Sequence, residues 1–391
     1  TTVFVFADCT QPAIRGVALD HAIARLFIRP HHYDALEIFA TQGGNSARGQ
    51  FLRRTAPVGF ALDFMEFDFD STLPLPDAAR LVGPELSEAL RPIVLTAPPT
   101  VHTRGRIDGP ASARSGHRQI YVKGHATGAF TLHGFPLQHL DFEAALDDDR
   151  LLVTPVEVGF AGGTVSGSVR AWGPEDGRRL GFTLSLRDGS LRDAATALEA
   201  YAARRRGLAP AANSAYIEGT AQVRMAIDLT AEGDADDPFS FKGDGHADLG
   251  GQGLGRIRLL GLLSELLNFT ALRFDALRTD FRLEGNELTF PHVNLTGPDA
   301  AVTARGSYQL ERKELDFYAR VFPFQESRFI LKSVVGLVLA PLSGVLEVKL
   351  TGPLDKPQWA FVIGPTNFIR SILAPGKDEP SPGTAPPTTN P

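Results

Sequence analysis

The residues most able to bind a metal ion stand near the start of the chain. His31, His32 and Asp34 lie together in RPHHYD, with His21 ten residues earlier, and imidazole and carboxylate groups are common metal ligands. Adjacent histidines on a strand point to opposite faces, so one ion reaches both only if a loop folds them back. The stretch therefore favours a polar hairpin turn, and we expect no metal site.

Two runs of aspartate have the ligand type that calcium prefers. They are 147–149, and the group Asp234, Asp236 and Asp237. Both lack the glycine and the distal glutamate of the known calcium loop. We interpret both runs as solvated turns.

Motifs of known enzymes do not occur in the sequence. GLGRIRLLG (253–261) resembles a phosphate loop, but it has Arg where such a loop needs Lys followed by Ser or Thr. There is no G-x-S-x-G elbow and no H-E-x-x-H pair, and Cys9 has no evident histidine partner. The sequence predicts a protein that is not an enzyme, with no catalytic residue and no cofactor.

Composition narrows the class of protein. The content is 43% hydrophobic and 21% charged, as in folded proteins, and no run of 18 apolar residues occurs. The net charge of -6 argues against a nucleic-acid partner. The single cysteine excludes a disulfide within the chain.

Hydrophobic residues alternate with polar ones over much of the chain, which indicates β-strands. The clearest pair of strands flanks the turn at 147–150. One predicted face contains Leu140, Phe142, Ala144 and Leu146 before that turn, and Leu152, Thr154, Val156, Val158 and Phe160 after it. Short turns connect further strands of this kind, so the sequence predicts an antiparallel meander with one apolar and one polar face.

The sequence contains three copies of this unit. Each copy opens at a leucine and has a glycine 29 or 30 residues later, inside the strand that follows a glycine turn. The three pairs are Leu19 with Gly49, Leu137 with Gly167, and Leu277 with Gly306. Glycine within a strand marks a bulge or a bend, which a long curled sheet requires.

Helical stretches separate the copies. They cover 75–93, 191–206, 254–269, 328–342 and 365–373. We divide the chain into a first copy with a short helix (1–95), a second copy with a helix (96–210), a C-terminal region (211–374) and a disordered Pro-rich tail (375–391).

An apolar sheet face must be covered by a second sheet, by helices or by a ligand. About twenty strands at about 4.8 Å each form a sheet on the order of 100 Å long. Half a dozen short helices cannot cover that length. The sheet therefore either folds back on itself around a closed core or curls into a trough that holds something apolar.

The C-terminal third resembles the C-terminal region of the AsmA-like family. The stretch FDALRTDFRLEGNELTFPHVNLTGPDAAVTARGSYQLERKELDFYARVFP is followed by FILKSVVGLVLAPL and LEVKLTGPLDKPQWAF. The order of its turns carries the likeness: Glu284-Gly285, Gly297-Pro298, Gly306, Asp316, and then Thr351, Gly352, Asp355 and Pro357. The match covers about 250–365, and the earlier copies fit the family's repetitive sheet more loosely.

The resemblance implies a long curled antiparallel β-sheet with a taco-like hydrophobic groove, in the periplasm of a diderm bacterium. Members are regarded as phospholipid carriers between the inner and outer membranes. The expected partners of this chain are therefore phospholipid, these membranes and proteins within them. A tether to the inner membrane would lie in a segment absent from this chain.

On this hypothesis the groove is lined by one set of side chains: Leu140, Phe142, Val156, Val158, Phe160, Phe281, Leu283, Phe290, Val302, Ala304 and Tyr308. A helix with Ile257, Leu260, Leu263 and Leu267 on its apolar side would cap the groove or dock on a membrane. The alternative is a structural or adhesive β-rich envelope protein, in which the same side chains pack a closed core without lipid.

Overall fold

The structure, a computed structural model, describes residues 1–174, 176–210, 222–251, 253–257, 260, 263, 273–298, 300–323 and 346–363. This part of the chain is mainly β, with three short α-helices. The prediction of a mainly β chain built on one long antiparallel sheet is confirmed. The predicted helices at 328–342 and 365–373, and the tail at 375–391, lie outside the described residues.

The elements have these bounds: β1 Val3–Thr10, β2 Ala13–Ile14, β3 Val17–Ala18, β4 His21–Arg29, β5 His32–Gln42, β6 Asn45–Thr55, β7 Leu62–Ser71, α1 Leu75–Val82, α2 Pro84–Leu90, β8 Ile93–Leu95, β9 Thr100–Asp108, β10 Arg118–Leu132, β11 Phe135–Asp147, β12 Arg150–Phe160, β13 Gly163–Trp172, β14 Arg179–Ser190, α3 Leu191–Arg205, β15 Arg224–Asp234, β16 Lys242–Gly250, a 3-10 turn Leu254–Arg256, β17 Ala276–Glu284, β18 Glu287–Thr296, β19 Ala300–Gln309, β20 Glu314–Pro323, β21 Leu346–Pro353 and β22 Gln358–Ile363.

Twenty strands form one sheet, and β2 and β3 form a separate small hairpin. β1 pairs with β4, the strands from β4 to β7 follow in order, and β7 pairs with β9. From β9 onward each strand pairs with the next as far as β22, while β8 pairs with the end of β10. In the described part of the chain β1 and β22 are each paired on one side, so the sheet is open.

The antiparallel order gives the two ends of the strands different characters. One end, the turn rim, carries the connections after β4, β6, β9, β11, β13, β15, β17, β19 and β21. The other end, the helix rim, carries the β2–β3 hairpin, α1, α2, α3 and the described residues from 253 to 263. The described helices share one rim because each follows a strand that runs in the same direction.

Local sequence explains the helices. Ser190 caps α3, since its hydroxyl accepts a hydrogen bond from the Asp193 amide at 3.2 Å. The stretch predicted as one helix at 75–93 forms two helices, because Gly83 ends α1 and Pro84 opens α2. In the predicted helix at 254–269 the structure describes the 3-10 turn and helical positions at Leu260 and Leu263.

Fully buried side chains concentrate at the helix rim. Within the described residues, the largest of them are Leu73, Val17, Leu254, Leu263, Phe274, Val321 and Val348. One cluster lies under the β2–β3 hairpin and α1, a second under α3, and the third and largest around Leu254 and Leu263. The helices therefore seal this rim of the sheet.

The sequence repeat has a structural counterpart in three bulges. In each copy the bulge lies on the strand that precedes the strand of the repeat glycine. Its two bulged residues face a single residue, which is the neighbour of that glycine in the sequence. The bulged positions are 36–37 beside Gly49, 154–155 beside Gly167, and 291–292 beside Gly306. The glycines themselves are regularly paired. The bulge predicted at each glycine therefore lies on the strand that pairs with it.

Candidate functional site

The main candidate site is one face of the sheet, which we call the apolar face. Directly opposed residues of antiparallel strands lie on the same face, so the pairing traces rows across the sheet. One row joins 17 strands without interruption and has no charged member. It contains Ala7, Ala24, Ile38, Gly49, Phe69, Thr103, Val122, Ala144, Val153, Val169, Phe182, Ala231, Gly243, Leu283, Leu288, Tyr308 and Leu315.

A second row runs beside it on the same face, nearer the helix rim. It contains Cys9, Ala22, Ala40, Ala47, Ser71, Val101, Gly124, Phe142, Val156, Gly167, Leu184, Leu229, Gly245 and Phe281, and after a bulge Phe290, Gly306, Phe317, Leu350 and Trp359. This row also lacks charge. At the strand spacing of about 4.8 Å, 17 strands give a continuous apolar path of roughly 80 Å.

Phenylalanine rings lie over glycines along this face. A Cβ at Gly124 would lie 2.2 Å from the Phe142 ring, and a Cβ at Gly306 would lie 2.6 Å from Cγ of Phe317. Gly49 under Phe69 and Gly245 under Phe281 repeat the arrangement. The rings take the space of the missing side chains, and the face becomes smooth there.

The aromatic residues of the apolar face are half-buried. Phe142, Phe281, Phe290 and Phe317 all retain accessible surface, and none belongs to the fully buried set at the helix rim. In a closed core such large side chains are the most completely buried residues. Away from the helix rim, the face is therefore only partly covered by the described chain.

The second copy places its predicted lining residues in two environments. Leu140 opposes Val158 and Phe142 opposes Val156, so these four lie together on the apolar face. Phe160 lies at the helix rim, where it packs in the cluster under α3. Its ring is 5.3 Å from the ring of Phe135, which in turn contacts Tyr201 of the helix.

The third copy divides in the same way. Phe281, Leu283, Phe290 and Tyr308 lie on the half-buried part of the apolar face, and the Phe290 ring is 6.0 Å from Phe281 and 5.6 Å from Phe317. Val302 is buried in the cluster around Leu254 and Leu263, and Ala304 packs against that cluster.

The predicted cap contacts the same end of the sheet. Leu263 is buried in the largest cluster, and Ile257 and Leu260 pack against it. Leu267 lies outside the described residues. The described part of this stretch covers the helix-rim end of the third copy.

One expectation about the face is wrong. Leu152 and Thr154 were expected beside Val156, but the bulge at 154–155 shifts the strand by one residue. Val153 opposes Ala144 on the apolar face instead, and Leu152 is 45% exposed on the other side. Pro155 has no N–H to donate to the ladder, which is why a bulge forms here.

Several members of the face were missed in the sequence. Ile38, Phe51, Phe67 and Phe69 belong to the first copy, and Phe182 lies between the second and third copies. The alternation in LDFMEFDFDS (62–71) contains the signal for Phe67 and Phe69. It does not show that Phe67 lies on the same face of the sheet as Phe317, which is 250 positions later in the chain.

The opposite, polar face carries ion pairs between strands, most of them directly paired ones, while Arg170 of β13 reaches across β14 to Glu232 of β15. They include Lys123 with Glu143 at 2.9 Å, Arg170 with Glu232 at 3.0 Å, Arg187 with Asp228 at 2.6 Å, Arg282 with Asp244 at 3.0 Å and Arg320 with Glu347 at 2.9 Å. The hydrogen bond from Lys123 lowers the pKa of Glu143, and Tyr121 adds to the effect. These pairs are exposed to water, where such pairs contribute little to stability.

Histidines also pair with carboxylates on the polar face. His246 contacts Asp280 at 2.7 Å through Nδ1 and Asp248 at 3.2 Å through Nε2. The hydrogen bond to Asp280 is the main cause of a raised pKa for His246. The charged imidazolium is therefore favoured between the two carboxylates.

A furrow of about 830 Å³ crosses six neighbouring strands, β5 to β7 and β9 to β11, and its lining includes one row of the apolar face, Ala35, Phe51, Phe67, Gly105, Ile120 and Leu146. Two rows of polar-face side chains flank it. One contains Asp34, Leu52, Glu66, Arg106, Gln119 and Asp147, and the other Gln50, Asp68, Arg104, Tyr121 and Ala145. Arg54 and Arg106 in the furrow bond to carboxylates, so it is lined by groups that satisfy one another.

Most of the residues weighed for metal binding lie at or beside connections of the turn rim, whereas His21 opens β4 at the helix rim, where its Nε2 atom is 2.6 Å from a carboxylate oxygen of Asp8. The Nδ1 atom of His32 is 3.0 Å from the carbonyl oxygen of Pro30, and His31 stacks on Phe60. His117, Asp147 and Asp148 come together with ligand atoms within 4.8 Å. Asp148 there accepts hydrogen bonds from the Arg118 amide and from His117, which lower its pKa. These bonds join the β9–β10 and β11–β12 connections.

No family model, curated protein or solved structure matches this chain. In the part of the chain that the structure describes, no helix has the length and hydropathy to cross a bilayer.

Proposed function

We propose that this chain carries phospholipid without catalysing a reaction, by holding acyl chains against its apolar face. The observation that carries the proposal is the uncharged row of directly paired residues across 17 strands, beside half-buried aromatic rings. The finer shape we propose is a taco-like groove, in which the sheet curls around the acyl chains with its apolar face inside.

The energetics of such a face suit transport. Each methylene removed from water contributes roughly 0.8 kcal/mol, so an acyl chain stays on the face rather than entering water. Successive strands present the same kind of surface, and one position is therefore nearly equivalent in energy to the next. Lipid can then diffuse along the sheet with no residue performing chemistry.

The difference between the rims supports an orientation for the cargo. The helix rim is sealed by clusters around Ala194 and Leu263, whereas short turns form the turn rim. We propose that acyl chain ends point towards the helix rim and that polar headgroups lie in water along the turn rim.

Cellular setting is part of the same proposal. We propose membership of the AsmA-like family, a periplasmic location, and a tether to the inner membrane through a segment outside this chain. The order of turns from Glu284 to Pro357 supports family membership. The partners would be the inner or outer membrane or proteins in them.

The rival function is a structural or adhesive protein with a closed core. Mass spectrometry of lipid extracted from the full chain after purification without detergent separates the two. We expect co-purified phospholipid, and a reduced amount in Phe290→Asp but not in Thr289→Asp, which places the same charge on the exposed polar face of β18. A folded protein that never carries lipid would overturn the proposal.

A further inference from the structure

The loop between β6 and β7 has an exposed surface unlike the other turns. Residues 57–61 are Pro57, Val58, Gly59, Phe60 and Ala61, all exposed and all without a polar side-chain group. Val58 is 87% exposed and Phe60 is 63% exposed. Both lie at the turn rim, away from the helices that cover the other rim.

The chain holds this loop in a defined conformation. The Ala56 amide donates to the carbonyl of Ala61 at 2.8 Å and closes the loop, while the Thr55 amide donates to the carbonyl of His31 at 3.0 Å. The Phe60 ring stacks on His31 with ring centroids 5.1 Å apart.

Phe60 has a φ of 53°, in the left-handed region that bulky residues rarely occupy. Such a conformation has a conformational cost that persists where the surroundings impose it, and it concentrates at functional positions. The loop therefore holds an aromatic side chain in water at a conformational cost, without using it in the core.

Positive charge lies beside the loop. Arg29 ends β4 and stacks over Phe27, with its guanidinium 5.3 Å from the ring centroid, and Arg53 near the end of β6 stacks over Tyr33 at 5.9 Å. Both side chains belong to exposed residues. Asp34 of β5 is bound by Arg54, and Asp63 is half-buried near the start of β7.

The neighbouring corner of the sheet extends the apolar surface. Val3, opposite Ile28, is 45% exposed, and Phe4, opposite Phe27, is 61% exposed. An exposed apolar loop with guanidinium groups beside it is suited to bind a bilayer surface. The apolar side chains can insert between the headgroups and the acyl chains, while the guanidinium groups pair with anionic headgroups.

We propose that loop 56–61, with Arg29 and Arg53, docks on the surface of a bilayer that contains anionic phospholipid. The inference deepens the proposed lipid-carrying function, since it names the place where the sheet meets a membrane. The site differs from the predicted docking helix, in which Leu263 is buried in the largest cluster and Leu260 packs against it.

Sedimentation of the full chain with vesicles tests the proposal. The vesicles are phosphatidylcholine alone, and phosphatidylcholine with phosphatidylglycerol. The key variant is Phe60→Gly, because glycine accepts the positive φ and the loop keeps its fold. The matched control is Val82→Ser at the last residue of α1, which removes an apolar side chain that is 67% exposed at the opposite rim.

We expect the unmodified protein to bind the anionic vesicles, and Phe60→Gly to bind about tenfold more weakly, since it loses a whole buried side chain. Val82→Ser should bind as the unmodified protein does. Arg29→Gln with Arg53→Gln should remove the preference for anionic vesicles and its salt dependence.

Failure of the unmodified protein to bind either vesicle, or equal binding by Phe60→Gly and Val82→Ser, would overturn the docking site. Lipid content, measured on the same preparations, keeps the two proposals apart. Bound lipid without vesicle binding removes only the docking site. Vesicle binding by a chain that carries no lipid removes only the carrier function.

Discussion

Replacement of Phe142 by aspartate places a carboxylate in the middle of the apolar face. Phe142 opposes Gly124 on one side and Val156 on the other, and its ring fills the space above Gly124. Ala145→Asp is the matched control, because Ala145 is an exposed residue on the opposite face of the same strand. The pair of variants separates a charge on the apolar face from a charge anywhere on β11.

The expected magnitude follows from the contact that is lost. Burying a phenylalanine side chain contributes about 1.5–3 kcal/mol. An acyl chain that crosses this position would lose this free energy when Phe142 is replaced. Desolvation of the new carboxylate adds to the cost. With about 2 kcal/mol, a value within this range, the occupancy of acyl chains at this position falls about 30-fold.

The assay is local, because the remainder of the face still binds lipid. A phospholipid with a photoreactive acyl chain is bound to the full chain and irradiated, and crosslinked peptides are quantified by mass spectrometry. Crosslinks to the strand with Phe317 serve as the internal reference. We expect the ratio of β11 crosslinks to reference crosslinks to fall about 30-fold in Phe142→Asp and to stay constant in Ala145→Asp.

Circular dichroism and the reference crosslink report whether the variant is folded. If Phe142→Asp is folded and its crosslink ratio equals that of Ala145→Asp, acyl chains do not cross this part of the sheet. That result would refute lipid binding along the apolar row.

Gly306→Ala should destabilise the sheet by about 1–3 kcal/mol in urea denaturation, because its Cβ would lie 2.2 Å from a main-chain oxygen of β20. Gly250→Ala, whose nearest neighbour is 3.9 Å away, should change stability little. The raised pKa of His246 means that its contribution is complete below pH 6.5 and is lost as pH rises through the folded-state pKa. His246→Gln should therefore destabilise the protein more at pH 5.5 than at pH 8 in the same assay, and equal destabilisation at the two pH values would contradict the prediction. Ser190→Ala should lower stability by about 1 kcal/mol, measured by thermal unfolding, and equal stability would show that the α3 cap contributes nothing.

Alternation in the sequence was enough to predict strands and their two faces, because side chains on a strand point alternately to either side. It placed Leu140 with Phe142 and Val156 with Val158 correctly. It failed at Leu152, since one bulge exchanges the faces for the residues beyond it. The bulges beside the repeat glycines are a property of pairing, which one strand alone does not encode.

The sequence by itself determined a β-rich chain, the three repeats with their glycines, and the helical stretches at 75–93 and 191–206. These features depend on residues close together in the chain. The tertiary structure decided the register that joins 17 strands into one uncharged row, the burial of Val302 beneath Leu263, and the exposure of Phe60 at the turn rim. Exposure depends on which elements pack over a side chain, and here those elements come from distant parts of the chain.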